Sequence, residues 1–188
     1  MKKNLVALTF VLTVLAATSH AAEVTKFGSS GFTIDTGTTT FSANQTLTTL
    51  TFSGTDSTSS ILAGTFSLFD ATGLNYINLV GSISGTNPNS GFTVELFNST
   101  FSETKLYSGT FGAFGASSTT VPLTFVSQTA SFTTIAGFQL TAAGSGDPIN
   151  MTLSSLNATA SPVPEPGTTC LLALAAGSGI FLRLRRRG

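Results

Sequence analysis

The sequence is poor in the residues that carry most enzymatic and metal chemistry. Its 188 residues contain one cysteine, one histidine and no tryptophan, and only 9% of them are charged. A single cysteine excludes a disulfide scaffold. Eight basic against eight acidic residues give a formal net charge of zero, without the basic excess of nucleic-acid-binding proteins. The 41% hydrophobic content argues against simple disorder, which combines low hydrophobicity with high charge.

The first 21 residues have the pattern of a secretory signal peptide. Lys2 and Lys3 precede an apolar run at 5–17, which is interrupted only by two threonines. The small residues Ser19 and Ala21 occupy the −3 and −1 positions of a cleavage site. We therefore expect cleavage after Ala21. The alternative, a retained N-terminal anchor, is disfavoured because the apolar run is short for a membrane span.

The C-terminus combines three features in a fixed order. A short motif is followed by an uncharged stretch at 167–182 and a basic tail at 183–188. The motif residues are Val163, Pro164, Glu165 and Pro166, and the tail charges are Arg183, Arg185, Arg186 and Arg187. The uncharged stretch reaches about 24 Å as a helix. Snorkelling of the first arginine extends the predicted transmembrane helix to about 167–184. A buried helix of the globular domain is the alternative, but it leaves the arginines unexplained.

This ending closely resembles the PEP-CTERM sorting signal of Gram-negative bacteria, a tripartite segment that covers 162–188 here. The resemblance implies that exosortase, a membrane-embedded cysteine transpeptidase, recognises the tail and processes the protein at the Pro-Glu-Pro region. It also implies a surface or extracellular protein associated with exopolysaccharide and biofilm. The positive-inside rule agrees, because it places the arginine tail in the cytoplasm and residues 22–161 outside. We expect an inner-membrane anchor first, and the cell surface or the medium after processing.

The predicted exported domain, residues 22–161, is polar through hydroxyl groups more than through charge. Of the chain's 57 serines and threonines, 50 lie in it, and its two lysines against seven acidic residues give a net charge of −5. It contains neither cysteine nor histidine. Ser-His-Asp and Cys-His hydrolysis and a zinc site are therefore excluded. The sequence calls for no cofactor.

Alternation with a period of two predicts β-strands throughout this domain. Phe92, Val94 and Leu96 alternate with polar residues, and similar runs occur around 77–83, 50–52, 121–125 and 149–153. Glycine-, asparagine- and proline-containing turns separate the runs. We predict nine strands, near 31–36, 46–53, 61–69, 76–84, 91–98, 103–111, 119–127, 135–142 and 149–157. This spacing favours an all-β fold, an antiparallel two-sheet sandwich of jelly-roll type. A β-solenoid is the alternative, but no fixed repeat is visible.

Several acidic residues are candidates for chemistry, and each has a simpler structural explanation. Asp35 begins an Asp-Thr-Gly triplet, but aspartic-protease chemistry needs two such carboxylates, and a turn-capping aspartate explains this one. Glu95 and Glu103 could form a glycosidase pair, although Glu95 falls in the solvent phase of its strand. Asp70 and Asp147 lie in predicted turns and are the best candidates for a calcium ion, with turn capping as the simpler explanation.

Aromatic residues cluster in one part of the sequence, around Phe97, Phe101, Phe111 and Phe114. Core packing is the expected role of these rings, since each phenylalanine buries a large apolar area. A sugar-binding platform usually presents Trp or Tyr, and only Tyr76 and Tyr107 could serve as such a platform.

Three functions follow in order of preference. The first is a non-enzymatic structural or adhesive protein of an extracellular polysaccharide matrix. The second is a carbohydrate-binding module that uses an exposed sheet face or loops. The third is a secreted hydrolase. The expected partners are the membrane, exosortase and exopolysaccharide, but not nucleic acid.

Overall fold

The computed structural model describes residues 21–85, 88–129 and 133–160 and folds them into an all-β, antiparallel domain. Eleven strands follow one another along the chain: β1 Ala22–Lys26, β2 Phe32–Ile34, β3 Ser42–Gln45, β4 Leu50–Thr55, β5 Ile61–Asp70, β6 Tyr76–Ile83, β7 Gly91–Phe97, β8 Thr104–Thr110, β9 Thr119–Gln128, β10 Thr134–Ala142 and β11 Pro148–Thr159. Within the described ranges, the one helical element is a single 3₁₀ turn at Phe111–Ala113.

The strands form one continuous, curled sheet. Its order is β2-β5-β10-β7-β8-β9-β6-β11-β4-β3, and β1 pairs with β11 beside this path. Strand β9 joins the two halves, because residues 119–123 pair with β6 whereas residues 124–128 pair with β8. We call the part from β2 to β8 the β10 half-sheet and the part from β6 to β3, with β1, the β11 half-sheet. The all-β antiparallel prediction is confirmed, whereas the division into two jelly-roll sheets remains a prediction.

The core lies on the inner face of the curled sheet and is rich in phenylalanine. Phe27, Phe32 and Phe138 form one mutually edge-on cluster, with ring centroids 5.0 to 6.1 Å apart. Phe92 packs against Phe111 at 4.8 Å in a second cluster. Fully burying a side chain of this size contributes about 1.5–3 kcal/mol to stability. Phenylalanine rings thus supply the aromatic packing of this core, which contains no tryptophan.

All nine predicted strands occur, but the boundaries and the number of strands differ. The strand predicted at 46–53 starts only at Leu50, because the Thr46 side-chain oxygen accepts the backbone N–H groups of Thr48 and Thr49 and closes a turn. Strands β1 and β3 were not predicted. Strand β3 has the sequence Ser-Ala-Asn-Gln, which lacks large apolar residues and follows no hydrophobic alternation. It is held by backbone pairing with β4.

The predicted burial pattern is correct in most strands and wrong at two positions. Phe125 was expected to share the buried face of Val121 and Leu123, but 48% of its surface is exposed. The reason is that β9 changes its partner between Leu123 and Thr124, so that Phe125 lies beyond the core. Asn78 was expected to face solvent, but it is only 2% exposed, and its side-chain nitrogen lacks a hydrogen-bond acceptor among the described residues.

The predicted targeting segments lie outside the described residues. This applies to the signal peptide except Ala21, which is exposed, and to the PEP-CTERM motif, the transmembrane helix and the arginine tail. Within the part of the chain that the structure describes, no helix is long and apolar enough to span a membrane.

Candidate functional site

The outer face of the β10 half-sheet gathers polar and aromatic side chains from three adjacent strands. On β7 the inward residues Val94 and Leu96 are fully buried, which leaves the alternate residues on the outer face. The ladders align them with outward residues of β10 and β8. We call this surface the platform face. It consists of Thr93, Glu95 and Phe97 of β7, Leu106 and Ser108 of β8, Gly137, Gln139 and Thr141 of β10, and Phe101 of the β7–β8 hairpin.

A carboxylate and an amide lie side by side at the centre of the platform face. The Gln139 side-chain nitrogen donates hydrogen bonds to Glu95 Oε2 at 2.9 Å and to Thr141 Oγ1 at 3.4 Å. These two bonds use both hydrogens of the amide and fix its orientation. The partly buried side chains are therefore held in place before any ligand arrives, and the remaining oxygen atoms can accept hydrogen bonds.

Two phenylalanine rings border this polar centre. The centroids of Phe97 and Phe101 are 5.8 Å apart with an interplanar angle of 37°, and 54% of Phe101 is exposed. The ring of Phe101 lies over Gly137 of β10. A Cβ atom at Gly137 would come within 2.6 Å of Phe101 Cε1, so the glycine creates the space that the ring occupies. The ring thus lies on the sheet and presents its other side to solvent.

The hairpin that carries Phe101 is fixed by one asparagine. Asn98 Oδ1 accepts the backbone N–H groups of Thr100 at 3.2 Å and of Ser102 at 3.0 Å, and the backbone N–H of Phe101 donates to the Asn98 carbonyl at 3.1 Å. Phe101 has a φ of +56°, a left-handed conformation that costs a non-glycine residue about 1–2 kcal/mol. The hairpin therefore holds an exposed aromatic ring in an unfavourable backbone conformation, a combination typical of binding sites.

The aromatic prediction is correct for the core and wrong at the surface. Phe111 and Phe114 are buried as expected, but Phe101 is exposed and Phe97 is only partly buried, on the outer face of β7. Of the two tyrosines proposed as platforms, Tyr107 is 1% exposed, and burial raises its pKa to about 12. Tyr76 is 42% exposed, but it begins β6, outside the platform face. The position of Phe101 depends on Gly137, 36 residues away, and no local sequence pattern indicates it.

The structure places the two glutamates of the glycosidase hypothesis on the same hairpin. Glu95 lies in β7, and Glu103 lies just before β8, where its carbonyl accepts the Asn98 N–H. Glu103 lies about three residue steps along the ladder from Glu95, roughly 10 Å. Only Glu95 belongs to the platform face.

Two of the predicted aspartates cap turns. Asp35 accepts the backbone N–H of Gly37 at 2.9 Å and the Thr38 hydroxyl at 2.7 Å. The Thr38 bond, with the backbone bond at Gly37, lowers the pKa of this carboxyl. Asp70 accepts the hydroxyl and the backbone N–H of Thr72, which lower its pKa in the same way. The turn explanation accounts for both residues.

A buried aspartate that sequence reasoning missed joins two turns. Asp56 is 1% exposed and accepts the backbone N–H of Gly144 at 2.8 Å and the Ser145 hydroxyl at 2.7 Å. Burial alone would raise the pKa of Asp56, but the Ser90 hydroxyl, together with the hydrogen bonds from Ser145 and Gly144, outweighs burial and holds the pKa below its ordinary value. Asp147 accepts from the same hydroxyl at 2.8 Å. Residues 54–56 and 144–148 were predicted as separate turns, and only the fold brings them together.

The calcium candidates are not brought together. Asp70 ends β5 next to the start of β10, whereas Asp147 precedes β11 at the opposite end of the domain. No cluster of three or more His, Cys, Asp or Glu side chains suited to a metal occurs in the described ranges. A calcium ion at either aspartate remains a prediction.

The C-terminal segment matches a known sorting motif. Residues 162–187 match the family model of the PEP-CTERM protein-sorting motif, which confirms the resemblance noted from the sequence. The motif indicates an exported protein that is anchored in a membrane and then processed by an exosortase. No curated protein matches the chain.

Several solved structures are similar to this chain at low sequence identity. A crystal structure of an agarase is 10% identical with a TM-score of 0.54, over 79% of this chain and 26% of that chain. The family 11 carbohydrate-binding module of the cellulosomal cellulase Lic26A-Cel5E of Clostridium thermocellum is 13% identical with a TM-score of 0.46, over 76% of this chain and 96% of that chain. A family 30 carbohydrate-binding module is 11% identical with a TM-score of 0.45, over 79% and 87%. The similarity to the agarase concerns the fold of about a quarter of that enzyme, and the two lower scores support no further conclusion.

Proposed function

We propose that this protein is a non-enzymatic adhesive component of an extracellular polysaccharide or biofilm matrix, and that it binds polysaccharide through the platform face. The observation that carries the proposal is Phe101, an exposed ring held at positive φ beside the fixed Glu95–Gln139 pair. The export and sorting indicated by the C-terminal motif support an extracellular site of action. Adhesion and carbohydrate binding are then one function and not two alternatives.

The residues of the platform face fit the two sides of a sugar ring. The apolar C–H face of a pyranose packs on an aromatic ring, here Phe101, while its hydroxyl groups exchange hydrogen bonds with carboxylate and amide groups. Glu95 and Gln139 supply those groups on the neighbouring strands. The exported domain carries a net charge of −5, which repels acidic polymers. The proposed ligand is therefore an uncharged polysaccharide.

The proposed architecture is a two-sheet sandwich of jelly-roll type in which β9 belongs to both sheets. In this arrangement the inner faces are occupied by the phenylalanine core. Only an outer face or the loops can then hold a polymer. Three adjacent strands contribute to the platform face, so that it offers a continuous surface along which several sugar units can lie.

Binding to a glycan array, followed by titration with the best neutral polysaccharide, tests this function. The full chain in detergent is compared with Phe101→Ala and Glu95→Gln proteins. A matched control is Leu47→Ala, because Leu47 is another exposed large apolar residue, on the β3–β4 hairpin away from the platform face. We expect both face variants to lose at least about tenfold in affinity, the effect of removing about 1.4 kcal/mol of binding free energy, and the control to bind normally. Equal binding by all four proteins, or no binding by the unmodified chain, would overturn the proposal.

The absence of catalysis is a separate part of the proposal. A hydrolase would release reducing ends from the polysaccharide it binds. We expect no such release by the unmodified protein. Release that disappears with alanine at Glu95, Glu103 or Asp35 would instead identify a hydrolase.

A further inference from the structure

Both ends of the domain emerge at the same place. Strand β11 ends at Thr159, which pairs with Tyr76 at the start of β6, and Ala22 at the start of β1 pairs with Ala158. The end of β5 and the start of β10 meet there as well, because Asp70 pairs with Thr134. The short β5–β6 connection, residues 71–75, joins the two half-sheets at this level. We call this the exit end, since the chain continues from it to the sorting segment.

The exit end carries most of the exposed apolar side chains in the described part of the chain. Six large hydrophobic residues are exposed in the described ranges: Leu47, Leu68, Tyr76, Phe101, Phe125 and Val126. The β7–β8 hairpin that carries Phe101 also lies at the exit end, because it follows Phe97, which pairs with Gly137 near the start of β10. Leu68 lies two residues before the end of β5, and Tyr76 begins β6. Leu123 of β9 pairs with Ile77 near the start of β6. Phe125 and Val126 follow Leu123 and belong to the part of β9 that pairs with β8 and no longer with β6. Exposed apolar groups gathered at one end of a domain mark an interaction surface.

The length of chain beyond the domain determines what can meet this end. Six residues separate Ala160 from the start of the uncharged stretch at Gly167, and three of them are prolines. Even a fully extended chain of this length reaches at most about 25 Å. Strand β11 alone, with 12 residues, is about 40 Å long. While the sorting segment is anchored, the exit end therefore stays closer to the membrane than one domain length.

We infer that the apolar residues at the exit end dock on the outer surface of the lipid bilayer before the sorting segment is cut. Leu68, Tyr76, Phe125 and Val126 would enter the interfacial layer of headgroups and upper acyl chains. Aromatic residues such as Tyr76 and Phe125 suit this layer because one side of it is apolar and the other is wet.

The charges near the exit end select the kind of lipid. Glu23, Asp70 and Glu103 are the acidic side chains on its segments, and Glu23 forms an exposed ion pair with Lys26 at 3.8 Å. Anionic headgroups would be repelled by the remaining carboxylates. The occupant is therefore a zwitterionic phospholipid surface. Docking of this kind would hold the exit end at the membrane surface, and cleavage in the Pro-Glu-Pro region would then free the domain.

Because the sequence contains no tryptophan, a single introduced tryptophan reports on its own site without background from other tryptophans. The full chain is reconstituted in phosphatidylcholine vesicles with Phe125→Trp as the single fluorescent probe, and with Tyr76→Trp as a second probe in case the first fails to fold. The matched control is Ala116→Trp, an exposed site in the loop after the 3₁₀ turn, next to Gly115, which bonds to the far end of β6. Lipids brominated high on the acyl chain quench tryptophan only on contact.

We expect brominated lipid to quench most of the fluorescence of the Phe125→Trp and Tyr76→Trp proteins and to leave the Ala116→Trp protein unquenched. Adding phosphatidylglycerol at low salt should reduce the quenching. Absence of quenching at both exit-end probes would overturn the inference, as would equal quenching at all three sites. A blue-shifted but unquenched exit-end probe would also overturn it, because the surface would then be covered by a second copy of the protein.

Discussion

The ring of Phe101 occupies the space that a side chain at Gly137 would fill, with only 2.6 Å between Cε1 and a Cβ built on the glycine. The position of the Phe101 ring therefore depends on the absence of a side chain at Gly137 in the neighbouring strand. Gly137→Ala should displace the ring from the sheet, cost about 1–3 kcal/mol in unfolding free energy through overpacking, and weaken polysaccharide binding.

Urea unfolding and ligand titration check this prediction together. Gly91→Ala is the control, because its Cβ would meet only the Gly109 carbonyl oxygen, at 3.3 Å, away from the ring. Normal polysaccharide affinity in the Gly137→Ala protein would show that the position of Phe101 is unrelated to binding.

Replacing Phe101 itself should separate stability from binding. Glycine tolerates a φ of +56°, so Phe101→Gly relieves the backbone strain while it removes the exposed ring. We expect the unfolding free energy to stay within about 1 kcal/mol of the original value, while polysaccharide binding is lost. Thermal unfolding and an affinity gel measure the two effects. A protein that binds normally without this ring would contradict the platform.

The side-chain oxygen of Asn98 should be the atom that orders the hairpin. Asn98→Ala removes the acceptor for Thr100 and Ser102 and should cost about 1–3 kcal/mol, together with much of the polysaccharide affinity. Asn98→Asp keeps that acceptor and should retain most of both properties. Hydrogen exchange of the amides of residues 100 and 102 reports the order directly. Equal protection in the two variants would argue against this role.

Asp56 should make stability depend on pH in the acid range. Its pKa is lowered in the folded protein, so the carboxylate contributes stability above its unfolded pKa of about 3.9, and this contribution is lost as the pH falls through the lower folded value. Asp56→Asn should reduce Tm at neutral pH, and the difference from the unmodified protein should shrink below about pH 4. Calorimetry over this range checks the sign. A difference that grows on acidification would contradict the assignment.

Processing should leave a defined mature mass. Intact-mass measurement on protein from cells that contain the sorting enzyme should show loss of residues 1–21 and of the segment after about 166. Glu165→Ala should keep the tail, because the fixed charge of the motif is removed, whereas Glu103→Ala should be processed normally. A mature species that still carries Arg185, Arg186 and Arg187 would contradict the sorting assignment.

The sequence predicts this fold well where one strand face packs on the core. The alternation at Phe92, Val94 and Leu96 identifies both the strand and its buried side, because burial on one face of a strand imposes a period of two. The burial predicted from alternation is wrong at Phe125, where the alternation continues but β9 pairs with a different strand. Partner exchange is a property of the whole sheet and leaves no local pattern.

The candidate site was less accessible to sequence reasoning for a similar reason. Glu95 was recognised as an outward-facing residue, but its partner Gln139 lies 44 residues further along the chain. The burial of Asp56 depends on a turn that is 88 residues away. Each of these groups looks like an ordinary surface residue in its local sequence, and only the pairing of distant strands gives it a defined environment.

The position of β11 has a consequence for the way this protein crosses the membrane. Although it is the last of the described strands to be synthesised, it pairs with β1, β4 and β6, and its pairing with β1 joins residues 129 to 136 positions apart. The β11 half-sheet must therefore wait for the C-terminal strand, and contacts this distant in sequence form slowly. An exported chain therefore completes the β11 half-sheet only when β11, the strand directly before the sorting segment, is available.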